Sequence, residues 1–109
     1  MDRWKRAFKG LHILLGFGST IMSSEISGQR LAEYAAEGQL VLTAWLRTGR
    51  EIQKTTNTKC PPQGPVIWAG AMWVEGGGAS PVDDHLWGFG SVSPDPVTRD
   101  AVVAMWTSC

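Results

Sequence analysis

The sequence has no long hydrophobic run and few cysteines. Its longest apolar stretch, residues 11–22, is interrupted by His12 and several glycines, so it falls short of the roughly 18 to 20 apolar residues of a transmembrane helix. Cys60 and Cys109 are the two cysteines, and they have neither the spacing of a zinc site nor the density of a disulfide scaffold. These absences argue against an integral membrane protein, a zinc domain and a disulfide-stabilised secreted protein. Whether the two cysteines pair stays open.

The sequence also lacks the short motifs of common enzyme classes. It contains no nucleophile elbow, phosphate loop, metalloprotease helix or dinucleotide fingerprint. The glycine run at residues 76–78 is not followed by the Lys and Ser or Thr that a phosphate loop requires. We therefore expect no cofactor and no bound metal, and the sequence favours a protein that is not an enzyme.

Charge is balanced over the whole chain but not along it. Ten basic residues offset ten acidic ones, yet residues 1–59 carry nine basic and five acidic residues, whereas residues 60–109 carry one and five. A nucleic-acid-binding protein shows a strong basic excess in clusters, so nucleic acid is not expected as a partner. The asymmetry predicts attraction inside the fold or between copies, and we expect a homo-oligomer.

Length and composition predict one folded domain spanning residues 1–109. The chain is 43% hydrophobic and 18% charged, which is typical of a globular domain, and 109 residues are too few for two independent cores. The period of the apolar residues changes along the chain. The pattern predicts helices at residues 24–37 and from 96 onward, and strands at residues 39–47, 50–55, 66–74 and 86–92. A strand at residues 101–106 is the alternative for the last element. The predicted fold class is α+β, with N-terminal helices packed on an antiparallel sheet of three to five strands.

An amphipathic segment is predicted at residues 1–22. Trp4, Phe8, Leu11 and Leu15 recur at steps of three and four residues and would share one face of a helix. We expect this face to be an interface with the core or a second copy, while a membrane surface is the alternative.

The same segment bears on where the protein acts. Four basic residues precede its apolar stretch, which is the order of a secretory signal. We predict a cytoplasmic protein, and a secreted or periplasmic one if residues 1–24 act as a signal.

Tryptophan is the residue type in excess, with six in the chain. Trp68, Trp73 and Trp87 fall in one glycine-rich stretch with Asp84 and His85. These five residues predict a pocket in which indoles stack on a small aromatic or cationic ligand, although core packing explains a tryptophan equally well.

The sequence therefore indicates a small binding or interaction module. A first alternative is a small enzyme with a site around Asp83, Asp84 and His85, whose side chains can transfer protons; a solvated turn is the competing interpretation. A second alternative is a peripheral membrane protein held by its N-terminal segment.

Overall fold

The computed structural model describes residues 11–18, 26–53, 67–77, 80–95, 98 and 100–109. Within these residues the chain forms two helices and a three-stranded antiparallel sheet, which confirms the predicted α+β class. The elements in chain order are β1 (Ile13–Phe17), α1 (Ile26–Ala36), α2 (Val41–Ile52), β2 (Trp68–Glu75), a 3₁₀ turn (Pro81–Asp83) and β3 (Ala101–Ser108). Helix α2 packs on the sheet, and α1 packs on α2.

Strand β2 is the centre of the sheet. It pairs antiparallel with β1, where Ile13 lies opposite Trp73 and Phe17 opposite Ala69, and with β3 on its other side. Six consecutive residues of β2, from position 69 to 74, are buried. Both faces of a central strand are covered, so the residues on both faces are apolar. The predicted strand at residues 66–74 is confirmed.

Helix α2 lies close against one face of the sheet. Leu42 packs with Ala71 and Trp73 of β2, and the Trp45 indole N–H donates to the Gly70 carbonyl at 3.0 Å. A Cβ added to Gly49 would come within 3.0 Å of the Ala69 Cβ, so glycine at this position permits the close approach of helix and strand.

The strands predicted at residues 39–47 and 50–55 are wrong over residues 41–52, because these residues form α2. Its apolar run fits a period of two, yet Leu42, Trp45, Leu46 and Gly49 also follow the i, i+3, i+4, i+7 spacing of a helix face. Packing of that face on β2 decides between the two periods. The helix predicted at residues 24–37 is confirmed by α1.

Two further predictions fail, one at residues 86–92 and one at the last element of the chain. Residues 86–92 form turns rather than a strand: the Phe89 N–H donates to the Leu86 carbonyl at 2.9 Å, and Gly88 has a φ of 87°, which is unsuited to a strand. The last element is β3, the strand alternative, so the helix predicted from residue 96 is wrong over residues 101–108.

The N-terminal segment is a strand where it is described. The predicted helix places Leu11 and Leu15 on one face, but in the structure Leu11 packs with Met72 and Val74, whereas Leu15 packs with the cluster around Leu42 on the other side of the sheet. A strand sends alternate residues to opposite faces. Trp4 and Phe8, the other predicted interface residues, lie outside the described residues.

The face of the sheet away from α2 contains a close contact between a glycine and an aromatic ring. Gly70 of β2 lies opposite Trp106 of β3 and opposite Gly16 of β1. The Trp106 indole lies across Gly70, so that an added Cβ would fall on its ring. Glycine at position 70 therefore keeps Trp106 against the sheet.

We expect Gly70→Ala to destabilise the protein by about 1–3 kcal/mol, because the methyl group forces the indole or the strand to move. Gly16→Ala is the matched control: an added Cβ there meets no atom within 4 Å, and the expected change is within about 0.5 kcal/mol. Urea denaturation followed by far-UV circular dichroism measures both. Equal losses of stability in the two variants would contradict this role of Gly70.

Candidate functional site

A cleft of about 570 Å³ opens where β1, the start of α2 and the loop of residues 84–95 meet. The loop supplies most of its walls, while His12 precedes β1 and Val41 begins α2. The lining residues are Leu11, His12, Ile13, Val41, Asp84, His85, Leu86, Trp87, Val92, Ser93, Pro94 and Asp95. The cleft therefore combines apolar side chains with two histidines and two carboxylates.

His12 connects two carboxylates across this cleft. Its Nδ1 lies 2.6 Å from Asp84 Oδ2, and its Nε2 lies 2.8 Å from Asp95 Oδ1. The Asp84 side chain is 7% exposed, whereas that of Asp95 is 80% exposed. A carboxylate accepts hydrogen bonds, so an imidazole that contacts one at each nitrogen is the protonated form with two donors.

Asp84 is held in place by bonds from several parts of the fold. Its Oδ1 accepts the Ser93 backbone N–H at 2.7 Å, its carbonyl accepts the Val41 N–H at 2.9 Å, and its own N–H donates to the Pro81 carbonyl at 3.0 Å. A buried carboxylate is tolerated only when such partners replace water. Asp84 therefore fixes the orientation of His12.

The pKa of His12 is raised above its ordinary value of 6.5. The hydrogen bond to Asp84 is the largest cause and the bond to Asp95 the next, while partial burial acts in the opposite direction. Both bonds are strongest when the ring carries its second proton. The protonated His12 thus joins the start of β1 to the loop of residues 84–95.

His85 and Trp87 lie on the loop side of the cleft. The His85 N–H donates to the Ser91 carbonyl at 2.9 Å, and His85 Nδ1 lies 3.1 Å from the same oxygen. Because a carbonyl oxygen only accepts hydrogen bonds, the contact with Ser91 requires a proton on Nδ1. The Trp87 side chain is a large aromatic surface facing water, since this residue is 83% exposed.

The structure brings together some of the residues predicted from the sequence. Asp84, His85 and Trp87 line the cleft. Trp73 lies in the core, where its indole N–H donates to Glu75 Oε1 at 3.3 Å. Trp68 lines a separate apolar cleft with Phe17, Gly18 and Trp106. The predicted three-tryptophan pocket is therefore not formed, and Asp83 does not line the cleft either.

Sequence reasoning missed the pairing of His12 with Asp84 and Asp95. These partners lie 72 and 83 residues from His12 along the chain, and no local spacing indicates such contacts. The pairing of β1 with β2 and the course of the loop after β2 bring them together. Among the residues that the structure describes, no group of three or more His, Cys, Asp or Glu side chains could hold a metal ion.

The fold and the cleft define a small α+β domain with a His–Asp pair at the edge of an antiparallel sheet. The chain belongs to the family described as Domain of unknown function (DUF6345), which matches residues 1–108. Neither a curated protein nor a solved structure matches it. The described helices include none with the length and apolar character to cross a membrane. The assignment of a function therefore rests on the cleft.

We expect the stability of the protein to fall as the pH rises through the raised pKa of His12. The bonds to Asp84 and Asp95 favour the protonated ring, so their contribution is complete below the unfolded-state pKa of about 6.5 and is lost above the folded-state pKa. Urea denaturation at about pH 5.5 and about pH 8.5 measures the change. His12→Gln should reduce the difference between the two conditions, and an unchanged difference in that variant would show that another group is responsible.

Proposed function

We propose that this protein is a binding module whose cleft takes a small organic cation. The observation that carries the proposal is that an exposed indole, Trp87, and an exposed carboxylate, Asp95, line the same cleft. A cation with an apolar body can contact the indole and the carboxylate at the same time. A cation over an indole face is stabilised by the ring quadrupole.

The charges that line the cleft also favour a cation. When His12 is protonated, the charges of His12, Asp84 and Asp95 sum to one negative charge. When His12 is neutral, they sum to two. The described lining contains no Lys or Arg. A cleft with one sign of charge between low-dielectric walls concentrates ligands of the opposite sign.

The remaining lining supports a ligand with methyl groups and a hydrogen-bond donor. Leu11, Val41 and Val92 provide apolar contact area, which suits N-methyl groups better than a bare metal ion. Because Nδ1 of His85 donates to Ser91, the neutral form of this ring would offer Nε2 as an acceptor. A quaternary ammonium or an alkylammonium with a hydroxyl group fits this combination.

We expect choline to bind more tightly than its neutral isostere 3,3-dimethylbutan-1-ol, which has the same shape without the charge. Isothermal titration calorimetry measures the binding of both ligands to the wild type and to the variants. Trp87→Ala and Asp95→Asn should each weaken choline binding roughly two- to fivefold, the range for a cation at an exposed aromatic site.

The matched control is Trp68→Ala, because Trp68 lines the separate cleft and its loss should leave choline binding unchanged. Equal binding of the charged and neutral ligands would reject a cation site. Equal effects of the Trp68 and Trp87 variants would reject this cleft as its location.

A second candidate function, general acid–base catalysis, is favoured by the pair of Asp84 and His12. A buried carboxylate on Nδ1 of a histidine orients the ring and stabilises its protonated form, so that Nε2 can exchange protons with a reactant. In this structure Nε2 is bonded to Asp95, and a substrate would replace that exposed side chain.

If this second function holds, the protein should hydrolyse p-nitrophenyl acetate faster than free imidazole does. The rate should rise with pH through the pKa of His12, because the neutral ring is the base, and His12→Gln should abolish it. A rate that is unchanged in His12→Gln would exclude His12 as the base.

A further inference from the structure

The two carboxylates bonded to His12 differ in how well water can replace the ring. The Asp84 side chain is 7% exposed and lies 2.6 Å from Nδ1, whereas the Asp95 side chain is 80% exposed and lies 2.8 Å from Nε2. Water replaces a lost donor at an exposed carboxylate, but a buried carboxylate is left unsatisfied. Loss of the bond to Asp84 is therefore far more unfavourable than loss of the bond to Asp95.

This difference decides which proton leaves when the imidazolium of His12 becomes neutral. A neutral imidazole keeps one N–H, and its other nitrogen becomes an acceptor. The remaining proton stays on Nδ1, because the buried Asp84 is held in place by the Ser93 N–H at 2.7 Å and cannot turn to water. Nε2 therefore presents a lone pair to Asp95 Oδ1, which is also an acceptor. Two acceptors at a hydrogen-bonding distance repel each other.

The other groups around His12 do not compete for this proton. Strand β1 and helix α2 line the cleft with Ile13 and Val41, which are apolar. Besides the two carboxylates, the described loop adds one titratable side chain to the lining, His85. Its Nδ1 donates to the Ser91 carbonyl at 3.1 Å, so that ring is held by its own loop. His12 is thus the titratable group that joins the start of β1 to the outer wall of the cleft.

We propose that the contact between His12 and Asp95 is a proton-operated latch on the cleft, closed when His12 is protonated and open when it is neutral. In the open state Asp84 keeps its bonds to Nδ1 and to Ser93, so the change is confined to the loop beyond Ser93. Asp95 turns into water, and Nε2 becomes accessible from the cleft. The bonds to Asp84 and, next, to Asp95 raise the pKa of His12 above 6.5, so the latch opens above the pH at which a free histidine titrates. The latch belongs to the free protein and does not depend on the proposed ligand.

The first measurement identifies the proton that leaves. A long-range proton–nitrogen NMR correlation of the histidine rings, recorded across the titration of His12, separates protonated from unprotonated ring nitrogens. We expect the neutral ring of His12 to be protonated at Nδ1 and unprotonated at Nε2, which is the reverse of the tautomer that a free imidazole side chain prefers. A neutral ring protonated at Nε2 would overturn the inference.

The second measurement follows the loop by nitrogen relaxation of its backbone amides. As His12 loses its proton, the order parameter of the Asp95 amide should fall from that of rigid backbone, about 0.85, towards that of a flexible segment, about 0.6. The Ser93 amide, which is bonded to Asp84, should stay rigid. In Asp95→Asn the side-chain amide is both donor and acceptor and can bond Nε2 in either state, so position 95 should stay ordered throughout. In Asp95→Ala it should be mobile throughout.

Asp83→Asn is the matched control, because Asp83 is exposed and does not line the cleft. This variant should keep the wild-type transition at Asp95. The latch is overturned if the mobility of Asp95 does not change with pH, if Ser93 becomes mobile at the same midpoint, or if the transition persists in Asp95→Asn. A transition whose midpoint is that of His85 rather than His12 also overturns it, and the ring spectra give both midpoints.

Discussion

The cleft depends on a buried carboxylate that must be satisfied. Asp84 is 5% exposed, and at such a position a charged oxygen without partners would cost far more than one hydrogen bond provides. Its side chain is bonded to His12 and to the Ser93 backbone, and its own backbone is bonded to Val41. The requirement to satisfy one side chain thus joins the start of β1, the start of α2 and the loop of residues 84–95.

The core that supports this arrangement centres on β2, which supplies five of the eleven buried hydrophobic residues of the described chain. Gly49 brings α2 close to Ala69, and the Trp45 indole satisfies the Gly70 carbonyl from the helix side. On the opposite face Trp106 lies across Gly70. Small residues in the central strand therefore allow large aromatic residues to approach from both sides. Trp45 and Trp73 are buried packing groups, whereas Trp87, at 83%, is the most exposed of the tryptophans that the structure describes.

The sequence predicted the class of fold better than its elements. The apolar stretch before position 75 predicted the central strand, because a strand buried on both faces is apolar at every position. The prediction of strands is wrong for the segment that forms α2, because Leu42, Trp45 and Leu46 satisfy helical and alternating patterns at once. Only the contact of this face with β2 decides between them, and that contact is a property of the tertiary structure.

The site was predictable only in part for a related reason. Asp84, His85 and Trp87 are close in sequence and were recognised together. His12 was not, because its contact with Asp84 spans 72 positions and depends on the antiparallel pairing of β1 with β2. Trp68 and Trp73 are also near Trp87 in sequence, but alternate residues of a strand point to opposite faces and the loop leaves the sheet after β2. Proximity in sequence thus predicts which residues of the loop share a site, but it does not predict which residues of the strands join them.

At the proposed cation site, the proton on His12 and the bound cation would act on the same two carboxylates. Since the imidazolium already neutralises one of them, a bound cation and that proton oppose each other, and each weakens the binding of the other by the same factor. Loss of the proton increases the negative charge available to a cation. It also removes the hydrogen bond from His12 to Asp95, which holds the exposed side of the loop. The favourable charge and the ordered loop therefore have opposite dependences on pH. A cation that contacts both Asp95 and Trp87 reconciles them, because it replaces the lost contact while it uses the added charge.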